Sequence, residues 1–305
     1  MKHTKISALA LALIMLLSLF SGCTAEKPET AKPVNVTDMM GRECALDAPA
    51  TKIVALTAAD CEILYAIGAG DALVGRGSYC QFPAEALAAP EVQSGSETNL
   101  EQIIALKPQV VLMSTMAQTE EQVAALEKAG IRVVVSNAAD IEGVYKSIGI
   151  IGAVTGKDKE AAALVSDMKK SFAELSAKVA TKEEKTVYFE VSPLEYGLWT
   201  AGKNTFMDEI ANMLGLKNAF ADIEGWAEIS EEQVLSRNPD YIVTITAAME
   251  GAPSPVAEIL ARKGWEGLNA VKNSAVFNAD TNEISVPGPR LVNAAQALYS
   301  FVYGA

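Results

Sequence analysis

Hydrophobic positions after residue 50 follow two rhythms. Short, nearly unbroken apolar runs have the length of strands buried on both faces: KIVAL at 52–56, ALVGRGS at 72–78, QVVLM at 109–113 and IRVVV at 131–135. Between them, stretches patterned for one apolar face predict helices, from Ala58 to Ile67 closed by Gly68, from Asn99 to Leu106, and from Thr119 to Ala129 closed by Gly130. Strands alternating with helices predict a parallel sheet wound with crossover helices. Ahead of them, Val34 to Leu46 alternates and turns at Gly41, which predicts an edge hairpin.

From Asp140 to about Ala180 the strand rhythm stops. Ile141, Val144, Ile148, Ile151 and Val154, then Leu164, Met168, Phe172, Leu175 and Val179, recur at helical spacing. This predicts a long helical region with a break at Gly156. KTVYFEV (185–191) restarts the alternating pattern, which runs through YIVTIT (241–246) and SAVFN (274–278). Pro289 then opens a final amphipathic helix to Val302. The expected fold is α/β: two Rossmann-like lobes with parallel sheets, 34–139 and 181–305, joined by a connecting helix over 140–180.

The halves repeat one another. NLEQIIALKPQVVL (99–112) and SEEQVLSRNPDYIV (230–243) align at an offset of 131, with Glu101/Glu232, Gln102/Gln233 and Pro108/Pro239 identical. Each opens with the signature of a capping box, Asn99 with Gln102 and Ser230 with Gln233. One such unit in each half predicts a bilobed molecule with internal pseudo-symmetry.

The N-terminus predicts a destination. Lys2 and Lys5 precede a 15-residue apolar stretch, Ile6 to Phe20, too short to span a bilayer comfortably as a helix and right for a secretory signal. Leu19-Phe20-Ser21-Gly22-Cys23 matches a bacterial lipoprotein cleavage box. Signal 1–22 is then removed, Cys23 carries the lipid, and the polar, proline-punctuated 23–33 forms a tether to the extracytoplasmic face of the membrane.

Composition narrows the chemistry. The chain of 305 residues has 25 basic against 38 acidic residues; without Lys2 and Lys5 the mature charge is −15. No basic surplus exists to neutralise phosphates, which argues against nucleic acid as a partner. The one histidine, His3, leaves with the signal, so the mature chain has none. That removes Ser-His-Asp triads and most zinc sites. No phosphate-cradling GxxxxGK[ST] or nucleophile-elbow GxSxG occurs. Glu190, Glu195 and Asp222 could be imagined as hydrolase carboxylates, but no motif groups them. Of the remaining cysteines, Cys61 and Cys80 are the expected pair if a disulfide forms; buried free thiols are the alternative.

Candidate binding chemistry gathers where loops should leave the strands. Tyr79, Cys80 and Phe82 follow the second strand, Tyr196 and Trp199 follow the first strand of the second half, and Trp226 precedes the second capping box. Ligands of wound sheets bind beyond the carboxyl ends of strands, and rings there suit a flat, partly apolar ligand. Arg76 and Arg290 are the nearby cations that an anionic ligand would use.

The lipobox, KIVAL…CEILYAIGAGDALVGRGSYCQFP, NLEQIIALKP, the helical middle, SEEQVL and PGPRLVNAAQAL together resemble the substrate-binding proteins of ABC importers. The resemblance is to the class with a rigid helical connector, which binds cobalamin, ferric siderophores or haem. It covers about 34–305. YAIGAGDALVG with SYCQFP is most similar to the cobalamin branch, with Gly95 where that branch has a tryptophan. The resemblance implies a corrinoid ligand contacted by Tyr79 and Trp226, with a ferric siderophore or haem as the alternative; with the other strand-end residues the candidate ligand-binding set is Tyr79, Cys80, Tyr196, Trp199, Trp226 and Arg290. It also implies a monomer that delivers its cargo to a permease with ATPase subunits, docking through Glu101 and Glu232. No catalysis and no resident cofactor or metal are implied.

Overall fold

The computed structural model describes residues 32–95, 97–115, 119–179, 184–247 and 251–304. The expected signal segment, Cys23 and the tether up to residue 31 lie outside the described residues.

The edge hairpin pairs β1 (Val34–Thr37) with β2 (Glu43–Leu46) antiparallel, turning through Gly41 at φ +77°. The first lobe then runs β3 (Ile53–Ala55), α1 (Ala58–Ala66), β4 (Leu73–Gly77), β5 (Glu91–Val92), α2 (Leu100–Ala105), β6 (Val110–Met113), α3 (Glu120–Lys128) and β7 (Arg132–Val135). Its five strands form one parallel sheet in the order β5-β4-β3-β6-β7. Each helix starts where a side chain satisfies a free backbone donor: Thr57 accepts from Asp60 N–H, Asn99 from Gln102 N–H and Thr119 from Gln122 N–H.

The helical middle is two helices, α4 (Ile141–Thr155) and α5 (Asp158–Lys178), and not one continuous rod. Gly156 ends α4 in the left-handed region at φ +68°, where other residues are strained. Gly152 lets the pair approach closely, since a Cβ there would come within 2.5 Å of the Ala161 side chain.

The second lobe contains β8 (Lys185–Glu190), β9 (Leu198–Ala201), α6 (Phe206–Met213), β10 (Leu216–Asn218), β11 (Trp226–Ile229), α7 (Glu231–Arg237), β12 (Tyr241–Thr244), α8 (Pro255–Ala261), α9 (Asn269–Lys272), β13 (Val276–Asn278), α10 (Thr281–Ile284) and α11 (Leu291–Tyr303). Its parallel sheet has the order β10-β8-β12-β13. Beside it lies an antiparallel ribbon of β9 and β11, which the hydrophobic pattern did not announce. α4 packs against β1 and α1, while α5 packs against α11 and α6, so the helical pair ties the two lobes together.

Strand alternation sorts the core. In the first sheet Ile53, Ala55, Val110, Leu112 and Val134 face one way, and Val54, Val111, Met113, Val133 and Val135 the other. In the second, Val187, Phe189 and Val243 face opposite to Tyr188 and Ile242. The first set from each sheet joins Val144, Ile148 and Ile151 of α4 and Met168 and Phe172 of α5 in a common core. The other faces bury under their own lobe's helices.

The repeat holds in detail. Residues 101–108 and 232–239 share the same sequence of buried and exposed positions. Lys107 and Asn238, again 131 apart, both take positive φ, 49° and 46°, just before the buried Pro108 and Pro239. The caps differ. Ser230 and Gln233 form the complete reciprocal box, whereas Gln102 turns its side-chain oxygen to Gln93 N–H, and Asn99 N–H donates to Gln93 O.

Candidate ligand-binding cleft

The cavity of interest opens beyond the carboxyl ends of all five strands of the first sheet. Leu56 to Asp60 follow β3, Tyr79 follows β4, Ser94 and Gly95 follow β5, Ser114 follows β6, and Ser136 to Ala138 follow β7. From across the cleft, Ser285, Val286 and Pro287 of the second lobe close the space. Parallel strands place such a crevice at their ends because every crossover loop emerges on that side. The cavity holds about 370 Å³, near the lower bound of roughly 300–1,000 Å³ for small-molecule sites. A large planar ligand would therefore extend beyond it, over neighbouring surfaces.

Small hydroxyl and methyl side chains line the floor, with Asp60 and Tyr79 as the titratable members of the lining. Asp60 is fully buried at the start of α1, where Ser136 donates to it at 2.5 Å and Thr57 at 2.7 Å. Burial outweighs these two hydrogen bonds and pushes its carboxyl up to about 7. Tyr79 is the opposite case, 80% exposed at the rim.

The expected site residues separate into three groups. Tyr79 lies in the cavity wall. Tyr196, Trp199 and Trp226 are not in the cavity lining, but they remain exposed in the second lobe: Trp199 and Trp226 on the β9–β11 ribbon, Tyr196 on the turn before it. Trp226 packs its ring on Phe206 at 5.5 Å, and Phe206 N–H donates to Ala139 O beside the cavity-lining Ala138. Cys80 and Arg290 differ from expectation. Cys80 is fully buried, its thiol directed at Thr57 O (3.0 Å) and Ala55 O (3.4 Å), so it holds the loop under the cleft and presents nothing to a ligand. Arg290 is engaged with Glu62, Nη2 to Oε1 at 2.6 Å and Nε to Oε2 at 3.1 Å, and its guanidinium lies 4.0 Å from the Phe82 ring centre.

That ion pair joins the lobes at the cleft edge. Glu62 belongs to α1 and is nearly buried; Arg290 immediately precedes α11. Burial raises the Glu62 carboxyl, and the Arg290 guanidinium works against that rise. A side recess of about 170 Å³, bordered by Glu62, Tyr79, Phe82 and Arg290, adjoins the main cavity and shares Ala58, Tyr79 and Val286 with it. This tie was missed in sequence because its partners are 228 residues apart. Arg76, the other expected cation, pairs with Glu91 at 3.3 Å.

Cys61 and Cys80 are both buried free thiols, the second of the two states the cysteine pattern allowed. Cys61 lies on α1 and not at a strand end, and its thiol is pushed up by a hydrogen bond with Cys80 and by burial. The three imagined hydrolase carboxylates do not converge. Glu190 is clamped by Arg262 at 2.8 and 3.0 Å, Asp222 pairs with Arg237 on the surface, and Glu195 is exposed. Gly95 adopts φ +114°, a conformation side chains rarely enter, so a tryptophan has no place at this position without rebuilding the loop.

The sequence profile of the periplasmic binding proteins matches residues 53–283. The chain belongs to that family. An uncharacterised ABC transporter substrate-binding lipoprotein of Bacillus subtilis, YvrC, is 35% identical over 312 residues, covering 97% of this chain and 96% of that protein. The vitamin B12-binding protein of Salmonella typhimurium is 31% identical over 253 residues, covering 82% and 89%. Among solved structures, the periplasmic haem-binding protein HutB of Vibrio cholerae superposes with a TM-score of 0.75 at 23% identity, over 83% of this chain and 99% of that one, which shows the shared fold. This periplasmic binding protein is thus the substrate binder of an ABC importer, a carrier and not an enzyme, and its partners are permease and ATPase subunits. Among the described residues no helix is long and apolar enough to cross a membrane.

Proposed function

We propose that this binding protein captures a corrinoid between its lobes and, held by a lipid on Cys23, delivers it as a monomer to the permease. The observation that carries the ligand class is the character of the cleft. A floor of serine, threonine and alanine side chains opens to an exposed tyrosine, with three more exposed rings on the facing lobe. The two nearby arginines already hold carboxylates, Arg76 with Glu91 and Arg290 with Glu62. Such a surface favours a large ligand that stacks on rings over an anionic chelate that needs free guanidinium groups. The similarity to vitamin B12-binding relatives supports the same ligand class. The lipid assignment draws support from the lipoprotein relative in Bacillus subtilis.

Glu101 and Glu232 suit permease docking. Both are exposed and both occupy the second position of a short helix in corresponding places of the two lobes. A favourable dipole interaction explains either one alone, at about 0.3–1 kcal/mol; their recurrence in both lobes fits a partner with two equivalent half-sites.

Titration of the purified protein with cyanocobalamin, haemin and a ferric hydroxamate, followed by absorbance and calorimetry, tests the ligand class. Saturable binding of cyanocobalamin is expected, with Tyr79→Ala weakening it roughly three- to tenfold through lost stacking and leaving the melting temperature unchanged. Tight binding of haemin or the ferric chelate without cobalamin binding would refute the corrinoid reading.

A further inference from the structure

The chain leaves few large aliphatic side chains exposed: among the described residues, Met40, Leu87, Ile104 and Leu235. Scattered exposed aliphatics are ordinary, and Met40 and Leu87 have no apolar counterpart 131 residues on, where Ser171 and Asn218 mark nothing exposed of that kind. Ile104 and Leu235 are different. They are 131 residues apart, 41% and 38% exposed, and occupy the same position of the repeated unit. Each follows its helix's glutamate by three residues, Glu101 in α2 and Glu232 in α7, which puts acid and aliphatic on one helix face. In both units the residue just before, Ile103 or Val234, is the buried residue of its helix, whereas Ile104 and Leu235 belong to none of the core clusters. The core therefore makes no use of Ile104 or Leu235.

We propose that Ile104 and Leu235 are paired contact points for the permease, each inserting into an apolar hollow beside the cation that meets the neighbouring glutamate. The proposal rests on the docking reading of Glu101 and Glu232 and adds a second kind of contact to it. The occupant is a permease built of two equivalent halves. One chain presents the same acid-plus-aliphatic footprint twice, which a twofold partner can engage at both sites, and the acidic member calls for a basic partner surface. The division of labour follows from the chemistry. Rim charges steer and accelerate encounter, and their effect falls with salt, whereas buried aliphatic groups slow dissociation at any ionic strength.

The test uses the full-length protein and the permease–ATPase complex of its importer in lipid nanodiscs, with association measured from low to high salt. Ile104→Ser and Leu235→Ser are each expected to weaken association about fivefold, and the double variant about 25-fold, as for independent interface sites. The salt dependence and melting temperature should stay as in the parent. Leu87→Ser, at an exposed aliphatic without a counterpart in the other half, is expected to associate normally. Glu101→Gln with Glu232→Gln is expected to lower association and flatten its salt dependence. Parent-like association by the Ile104→Ser, Leu235→Ser double variant, or an equal loss by Leu87→Ser, would overturn the proposal. A loss confined to the serine pair, with the glutamine pair unaffected, would refute the glutamate contacts and uphold the aliphatic ones.

Discussion

Replacing Asp60 by asparagine should remove a large pH dependence of stability. Asp60 is fully buried, receives hydrogen bonds from Thr57 and Ser136, and has no cation contributing to its ionisation. Its carboxyl is raised from 3.8 to about 7. A raised folded-state value means the native protein holds a proton that the unfolded chain has released. The stabilisation is fully present below about pH 4 and is lost as pH rises toward about 7, at about 1.4 kcal/mol per unit. The interval of about three units corresponds to about 4 kcal/mol. Asparagine can accept from Ser136 and donate to Thr57, reproducing the protonated arrangement without an ionisable group. Urea unfolding of both proteins from about pH 4 to about pH 8 measures the difference directly. The raised carboxyls of Glu62, Glu190 and Glu209 act alike in both proteins and cancel. The parent should lose stability relative to Asp60→Asn across this range, levelling above about pH 7. Parallel curves would show that Asp60 titrates as an ordinary carboxylate, and the account of its burial would be wrong.

Two further outcomes are expected. Arg290→Met leaves the nearly buried Glu62 without its partner and should cost about 3–5 kcal/mol in urea unfolding, whereas adding Glu62→Leu should recover much of the loss; a loss that the second substitution does not relieve would refute the pair as the cause. Cys23→Ala should abolish incorporation of a fatty-acid analogue in labelled cells, and label retained by the variant would end the lipoprotein reading.

Much of the architecture was legible because parallel strands buried on both faces write continuous apolar runs. β3, β6 and β7 fall within their predicted runs, and the helices between them begin at side-chain caps that the sequence displays. The repeat was legible too, down to the proline turn. What escaped was short or nonlocal. β5 has two residues, too few to set a period, and the β9–β11 ribbon pairs segments separated by a helix and a further strand. The candidate cleft was legible by region and less so by side chain. Tyr79 follows β4 into the cavity as a strand-end residue should, but Cys80, one position on, turns inward and is fully buried. Successive side chains in a loop need not face the same way, and no local pattern distinguishes rim from floor. Arg290 could be placed near the cleft, but its pairing with Glu62 could not be foreseen, because Glu62 lies 228 residues away.

The apolar core common to both sheets and to α4 and α5 has a consequence for how the molecule comes apart. Ala55 and Leu112 of the first lobe share that core with Phe172 of α5 and with Phe189, Phe206 and Leu298 of the second. Neither lobe can open without exposing half of its own sheet, so lobe-by-lobe melting has no stable halfway state to pass through. The protein should denature as one cooperative unit, with amides of β6 and β12 exchanging in a single slow class and those of the outer helices α3 and α8 leaving earlier. A binding protein whose two lobes hold one ligand between them gains from that indivisibility, because thermal agitation cannot loosen one half while the other stays in place.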